Sequence, residues 1–98
     1  MSPTTGGESL QRLSIQIRGK VQGVFFRREA SREARRFSLS GFIRNEPDGS
    51  VYAEAEGAPS DVGGFIRWCR KGPSNARIES VETREIKIRN DDEFEVEY

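Results

Sequence analysis

Apolar and polar residues alternate from Leu13 to Arg18: Leu13, Ile15 and Ile17 fall on one side and Ser14, Gln16 and Arg18 on the other, the two-residue period of a strand with one buried face. Beyond a glycine-bearing segment the period changes. Phe26, Ala30, Ala34 and Phe37 recur at spacings of four, four and three, the stripe of an amphipathic helix whose other sides carry arginines and glutamates. "LSGFIRN" and "VYAEAEG" read as two more strands, the second setting Val51, Ala53 and Ala55 against Tyr52, Glu54 and Glu56; the Pro47-Asp48-Gly49 turn signal between them makes a hairpin. A second helix starts at Pro59 with Ser60-Asp61, turns Val62, Phe65, Ile66 and Cys69 inward and ends at Gly72-Pro73, although Gly63 and Gly64 each weaken it by ~1 kcal/mol. "RIESVETREIKI" is a fourth strand whose apolar residues Ile78, Val81, Ile86 and Ile88 change parity, which predicts a bulge or bend. "FEVEY" closes the chain as a short fifth strand with Phe94, Val96 and Tyr98 on one face.

The order is βαββαβ with an extra terminal strand. That predicts an α+β, ferredoxin-like sandwich with both helices on one face of a sheet of mixed strand order. In such a sheet strands one and two run parallel with another strand between them, so their C-terminal ends lie at the same edge. The segment after strand one and the Arg44-Asn45 pair ending strand two are therefore expected side by side.

A length of 98 residues suits one domain, expected over residues 11–98 behind a flexible tail at residues 1–10. Hydrophobic residues make up 34% and charged residues 33%, so the core is lean and its positions matter more than its total. Cys69 is the only cysteine, which excludes an intrachain disulfide and a CxxC site and suits a reducing cytoplasm. No basic start runs into an apolar stretch and no long apolar span occurs, so neither leader nor membrane association is expected. Histidine is absent, removing the commonest general base, the commonest metal ligand and every nucleophile–histidine pair.

The net charge is zero but unevenly spread. Seven basic residues stand against Glu29 and Glu33 between Arg18 and Arg36, and eight acidic residues stand against three basic ones from Glu79 onward. A positive field over one end could attract an anion, or the two ends could be solvated faces of opposite sign.

The segment "GKVQGVFFR", Gly19 to Arg27, carries the candidate chemistry. A loop entering a helix N-terminus presents unpaired N–H groups backed by the helix dipole, and Gly19 and Gly23 allow the chain to curl until those amides converge. Arg27, in the first helical turn, adds a planar fork that matches two phosphate oxygens. The spacing lacks the Gly-Lys-Ser/Thr ending of a Walker loop and no acidic cluster adjoins it, so no metal is expected. By physics alone the glycines could equally belong to an ordinary loop and Arg27 to a solvated helix face. Glu46 and Asp48 sit where turn residues are usual, and Cys69 reads as a small core residue.

Two stretches make the reading specific. "GKVQGVFFR" resembles the signature of the acylphosphatase family, and "GFIRNEPDGSVYAEAEG" is similar to its second signature; both stand in order and at family spacing. Ile43 replaces a usually smaller apolar residue, and Phe25 occupies a freely varying position. The resemblance implies a metal-independent enzyme without cofactor that hydrolyses a small-molecule acyl phosphate. It implies Arg27 as the substrate-binding catalytic arginine, Asn45 as the residue holding the attacking water, and the amides of Gln22, Gly23, Val24, Phe25 and Phe26 as a phosphate cradle supported by Gly19. A monomer that binds neither nucleic acid nor membrane is expected. The alternatives are a ferredoxin-like module that holds a phosphorylated ligand or RNA without turnover, and a free-standing relative of the domain that handles carbamoyl phosphate in a larger maturation enzyme.

Overall fold

The computed structural model describes residues 9–98, so most of the expected tail lies outside the described residues. The chain order is β1 (Gln11–Lys20), α1 (Phe26–Arg36), β2 (Ser40–Asn45), β3 (Val51–Gly57), α2 (Pro59–Lys71), β4 (Arg77–Ile86) and β5 (Phe94–Glu97). The five strands form one sheet in the order β4-β1-β3-β2-β5, with β2 and β5 parallel and the other neighbours antiparallel. This is the expected ferredoxin-like arrangement.

The alternation in β1 and β3 does what it predicts. Ile15, Ile17, Val51, Ala53 and Ala55 are wholly buried against Phe26, Ala30 and Ala34 of α1 and Val62, Phe65 and Cys69 of α2. α1 begins without a side-chain cap, and the N–H groups of Phe37 and Ser38 close its end on Glu33 and Arg35. α2 begins with Pro59 in its first turn, where a missing N–H costs nothing, and ends at Gly72. The expected irregularity of the fourth strand is a bulge. Pairing steps from Arg18↔Ser80 to Gly19↔Ile78 and leaves Glu79 as the extra residue, which lets Ile78 and Val81 both reach the core. Ile86 pairs with Arg12 on the other face, and Ile88 lies beyond the strand.

That other face is sealed by charge at one end. The Arg12 side chain is fully buried; its Nε donates to Glu54 at 2.8 Å, one terminal nitrogen donates to Glu56 at 2.9 Å, and the other lies 3.0 Å from Asp91. Desolvation opposes the charge, yet the bonds to Glu56 and Glu54 and the nearby Asp91 outweigh it and hold the Arg12 pKa above its ordinary value. Glu56 also accepts the N–H groups of Arg89 and Asn90, pinning the β4–β5 connection to the sheet. Read as a period-two strand, Glu54 and Glu56 point to solvent; the connection folds over them and makes them structural.

β5 departs from expectation at its end. Phe94 is buried and Val96 half-buried, but Tyr98 follows the strand fully exposed and meets the Arg27 guanidinium instead of the core.

Candidate active site

One cavity of about 390 Å³ gathers Val21, Gly23, Phe25, Phe26, Arg27 and Arg28 from the β1–α1 segment, Asn45 from the end of β2, and Tyr98. The topology explains the meeting: β1 and β2 run parallel on either side of β3, so both deliver their last residues to one edge, and β5, parallel to β2, delivers Tyr98 there too.

The loop is curled by two left-handed residues, Gly23 at φ 76° and Phe25 at φ 61°. Such turns aim successive N–H groups into one concavity. Among the described residues no protein group accepts a hydrogen bond from the backbone N–H of residues 22–26, and the first bond to close the turn is Glu29 N–H to Phe25 C=O at 3.1 Å. The free N–H groups and the α1 dipole together make the site electropositive before any side chain is counted.

Arg27 leaves the first turn of α1 half-buried. Its Nη1 donates to the carbonyl of Glu97 at 2.7 Å, and its guanidinium lies 4.7 Å from the Tyr98 ring centroid. Arg28 is exposed and lies 4.4 Å over the Phe25 ring, which is 65% exposed at the cavity mouth. The two neighbouring arginines thus take different partners, Arg27 the Glu97–Tyr98 end and Arg28 the Phe25 ring.

The expected site residues separate into four groups, Gln22 forming the last. Arg27, Asn45, Gly23, Phe25 and Phe26 line the cavity together. Val24 contributes its backbone to the loop but turns its side chain into the core. Gly19 does not curl the loop: it lies inside β1 at the bulge with φ 131°, and a Cβ there would sit 2.1 Å from the carbonyl oxygen of Arg77. Its role is close strand approach, which corrects the expectation that both glycines shape the amide cradle.

Gln22 does more with its side chain than the sequence suggested. The amide Nε2 donates to the carbonyls of Glu46 and Ser50, at 2.8 and 2.9 Å, across the base of the β2–β3 turn. Tyr98 was also missed, since strand parity only placed it on one face with Phe94 and Val96. Its signal is topological: a last strand parallel to β2 must end beside Asn45.

The acidic candidates prove structural. Glu46 accepts from Arg44 Nε at 2.8 Å. Asp48 accepts from the hydroxyl and N–H of Ser50, with Arg18 at 3.1 Å, and these hold its carboxyl pKa down at about 2. Cys69 is buried, and desolvation pushes its thiol pKa far above the ordinary range. Among the described residues no group of three or more histidine, cysteine or carboxylate side chains is placed to hold a metal, and no helix is long and apolar enough to cross a membrane.

Comparison with known proteins agrees with this geometry. The acylphosphatase family model matches residues 13–96. An acylphosphatase from Nocardioides sp. is 45% identical over 83 residues, covering 85% of this chain and 84% of the relative. The structure of an acylphosphatase from Coxiella burnetii superposes with a TM-score of 0.89 at 28% identity, covering 93% of this chain and 96% of that one. HypF from T. kodakarensis matches with a TM-score of 0.80 at 31% identity over 90% of this chain and 12% of its own. With the family signatures, the fold and the cavity all in one register, the chain belongs to the acylphosphatase family, whose activity is the hydrolysis of acyl phosphates to carboxylate and phosphate.

Proposed function

We propose that the substrate phosphoryl group is held by Arg27 and the N–H groups of residues 22–26, and that Asn45 positions the water that attacks it. The observation that carries this reading is the convergence of Arg27, Asn45 and the uncapped start of α1 on one cavity.

The chemistry suits a chain without histidine. An acyl phosphate is a mixed anhydride whose leaving group is a carboxylate with a pKa of about 4, so it departs without a general acid. What the protein supplies is charge neutralisation on the phosphoryl oxygens and alignment of water with the breaking P–O bond. Arg27 fits the first task because Nη1 is anchored on Glu97, which leaves the other nitrogens of the fork free to face an anion. Asn45 fits the second because a carboxamide accepts from water and donates to a phosphoryl oxygen at once. The water proton passes to a phosphoryl oxygen, the P–O bond to the acyl oxygen breaks, and carboxylate and phosphate leave. No covalent enzyme intermediate forms. We propose further that the enzyme acts as a cytoplasmic monomer on a small molecule without metal or cofactor, a reading supported by its lone buried cysteine.

The test is hydrolysis of acetyl phosphate in EDTA by wild type, Arg27→Ala and Asn45→Ala. The expected result is full wild-type activity in chelator and a loss of at least ~100-fold in each variant with an unchanged circular dichroism spectrum. Near-normal turnover in either folded variant, or loss of wild-type activity in EDTA, would refute the assignment.

A further inference from the structure

We infer that Gln22 is a positioning residue, its side-chain amide fixing Asn45 relative to the loop that receives the phosphoryl group. The inference rests on the reading of Asn45 given above.

Asn45 forms the last rung of the β2–β3 ladder, opposite Val51. The two residues immediately beyond that rung are Glu46 and Ser50, and Gln22 donates one N–H to the carbonyl of each. Both carbonyls already accept once within the turn: Ser50 C=O from the N–H of Glu46 at 2.9 Å, and Glu46 C=O from the N–H of Gly49 at 3.1 Å. Gln22 therefore fills the second acceptor site of each and spends both of its own donors. The opposite amide orientation would set Oε1 against two carbonyl oxygens, so the partners fix the orientation.

Other ties hold the turn from β1. Gln16 donates to the Ser50 hydroxyl at 2.7 Å, and Arg18 reaches Asp48. These set the hairpin against the sheet. Among the described residues, the Gln22 bonds alone join the turn to the loop that carries the free amides. Beyond the sheet pairing that brings β1 and β2 to one edge, the turn that follows the water-holding carboxamide is thus tied to the phosphoryl seat through one half-buried side chain whose own backbone belongs to that loop. In-line attack is sensitive to the distance between that carboxamide and the seat, since a shift of about 1 Å can cost on the order of 100-fold in rate.

The experiment compares Gln22→Met, close in shape but without donors, with Gln22→Glu, Asn45→Ala and the double variant Gln22→Met/Asn45→Ala. The readouts are kcat and KM for acetyl phosphate, and inhibition by inorganic phosphate. Gln22→Met is expected to lower kcat by roughly 10–100-fold while KM and the phosphate inhibition constant stay within about threefold. In the Asn45→Ala background the same substitution should cost less than about twofold, because the group it positions is gone. Gln22→Glu should be worse near pH 7, where a carboxylate faces two carbonyls, and should recover several-fold towards pH 5 as protonation restores one donor. That comparison is made within one molecule, so it stands even where Gln22→Met folds poorly.

A Gln22→Met kcat within about twofold of wild type overturns the inference, as does a loss that persists in full without Asn45 or one that appears in KM and phosphate affinity. Full activity in Asn45→Ala alone would instead refute the role of Asn45; any loss left in Gln22→Met would then belong to the loop, which also overturns the inference.

Discussion

The two glycines of the "GKVQG" segment should respond in opposite ways to alanine. At Gly23 a Cβ meets nothing within 4 Å, so the cost is the left-handed backbone alone, about 1–2 kcal/mol, partly offset by a stiffer unfolded chain. Gly23→Ala should lower Tm by only ~4–8 °C, at the usual sensitivity of a domain this size. Its activity should fall sharply, because any relaxation of φ swings the amides out of convergence. At Gly19 the backbone strain of about 1–3 kcal/mol is joined by a collision, the new Cβ lying 2.1 Å from the main-chain oxygen of Arg77 and 2.9 Å from the nitrogen of Glu79. Neither obstacle is a flexible side chain, so β4 must shift and a further ~1–3 kcal/mol is lost. The sum, about 2–6 kcal/mol, is a large share of the ~5–15 kcal/mol that holds a domain together, and Tm should fall by at least ~10 °C. Gly19→Ala should nevertheless turn over acetyl phosphate at a near-normal kcat at 10 °C, wherever circular dichroism shows it folded. The assay is a thermal melt beside kcat at low temperature. Equal melting losses, or a Gly19→Ala enzyme that is folded but as inactive as Gly23→Ala, would refute the separation of strand packing from amide geometry.

Arg12→Met strands Glu54, Glu56 and Asp91 without their shared cation and should cost about 3–5 kcal/mol in urea unfolding; activity should fade at lower urea than the far-ultraviolet signal, because β5 loosens first. Asp48 is held ionised by Ser50 and Arg18, so its contribution is complete above its unfolded value of 3.8 and is lost as pH falls through about 2. Its carboxyl should titrate near 2 by NMR, and Asp48→Asn should flatten the change of stability between pH 4 and 2. Arg28→Ala should keep kcat within about threefold of wild type while Arg27→Ala does not, since Arg28 stacks on an exposed ring at the mouth; equal losses would show that both arginines contact the phosphoryl group.

The pattern of the chain carried the topology because β1, β3 and each helix bury a periodic stripe: the Ile15/Ile17 face, the Val51/Ala53/Ala55 face, the Phe26/Ala30/Ala34 stripe and the Val62/Phe65/Cys69 stripe all lie where their periods put them. Even the bulge was visible, as a parity change between Ile78 and Val81. Arg27 and Asn45 could be brought to one edge from strand order alone. Less legible were interactions that depend on a side chain reaching between distant segments. Nothing local marks Gln22 as a clip on a turn 24 residues later, or Arg12 as the centre of a buried charge cluster formed with residues more than 40 positions away. Gly19 was misread for the same reason, since the strand that crowds it is 58 residues further on. Tyr98 broke its period because the strand ends before it and cation–π contact with Arg27 outweighs a face of the sheet that no longer exists there.

The hydrogen bond from Arg27 to Glu97 spans 70 residues of chain. It follows that Arg27 cannot make this contact until Glu97 has been made and β5 has docked beside β2. During synthesis the glycine loop and Asn45 leave the ribosome early, but a nascent chain stalled before Glu97 should be catalytically silent even if its first helix and hairpin have formed. Onset of acyl phosphate hydrolysis then reports the docking of β5, a pairing of high sequence separation. In a refolding experiment, turnover should lag behind the return of helical signal by the time β5 takes to find its place.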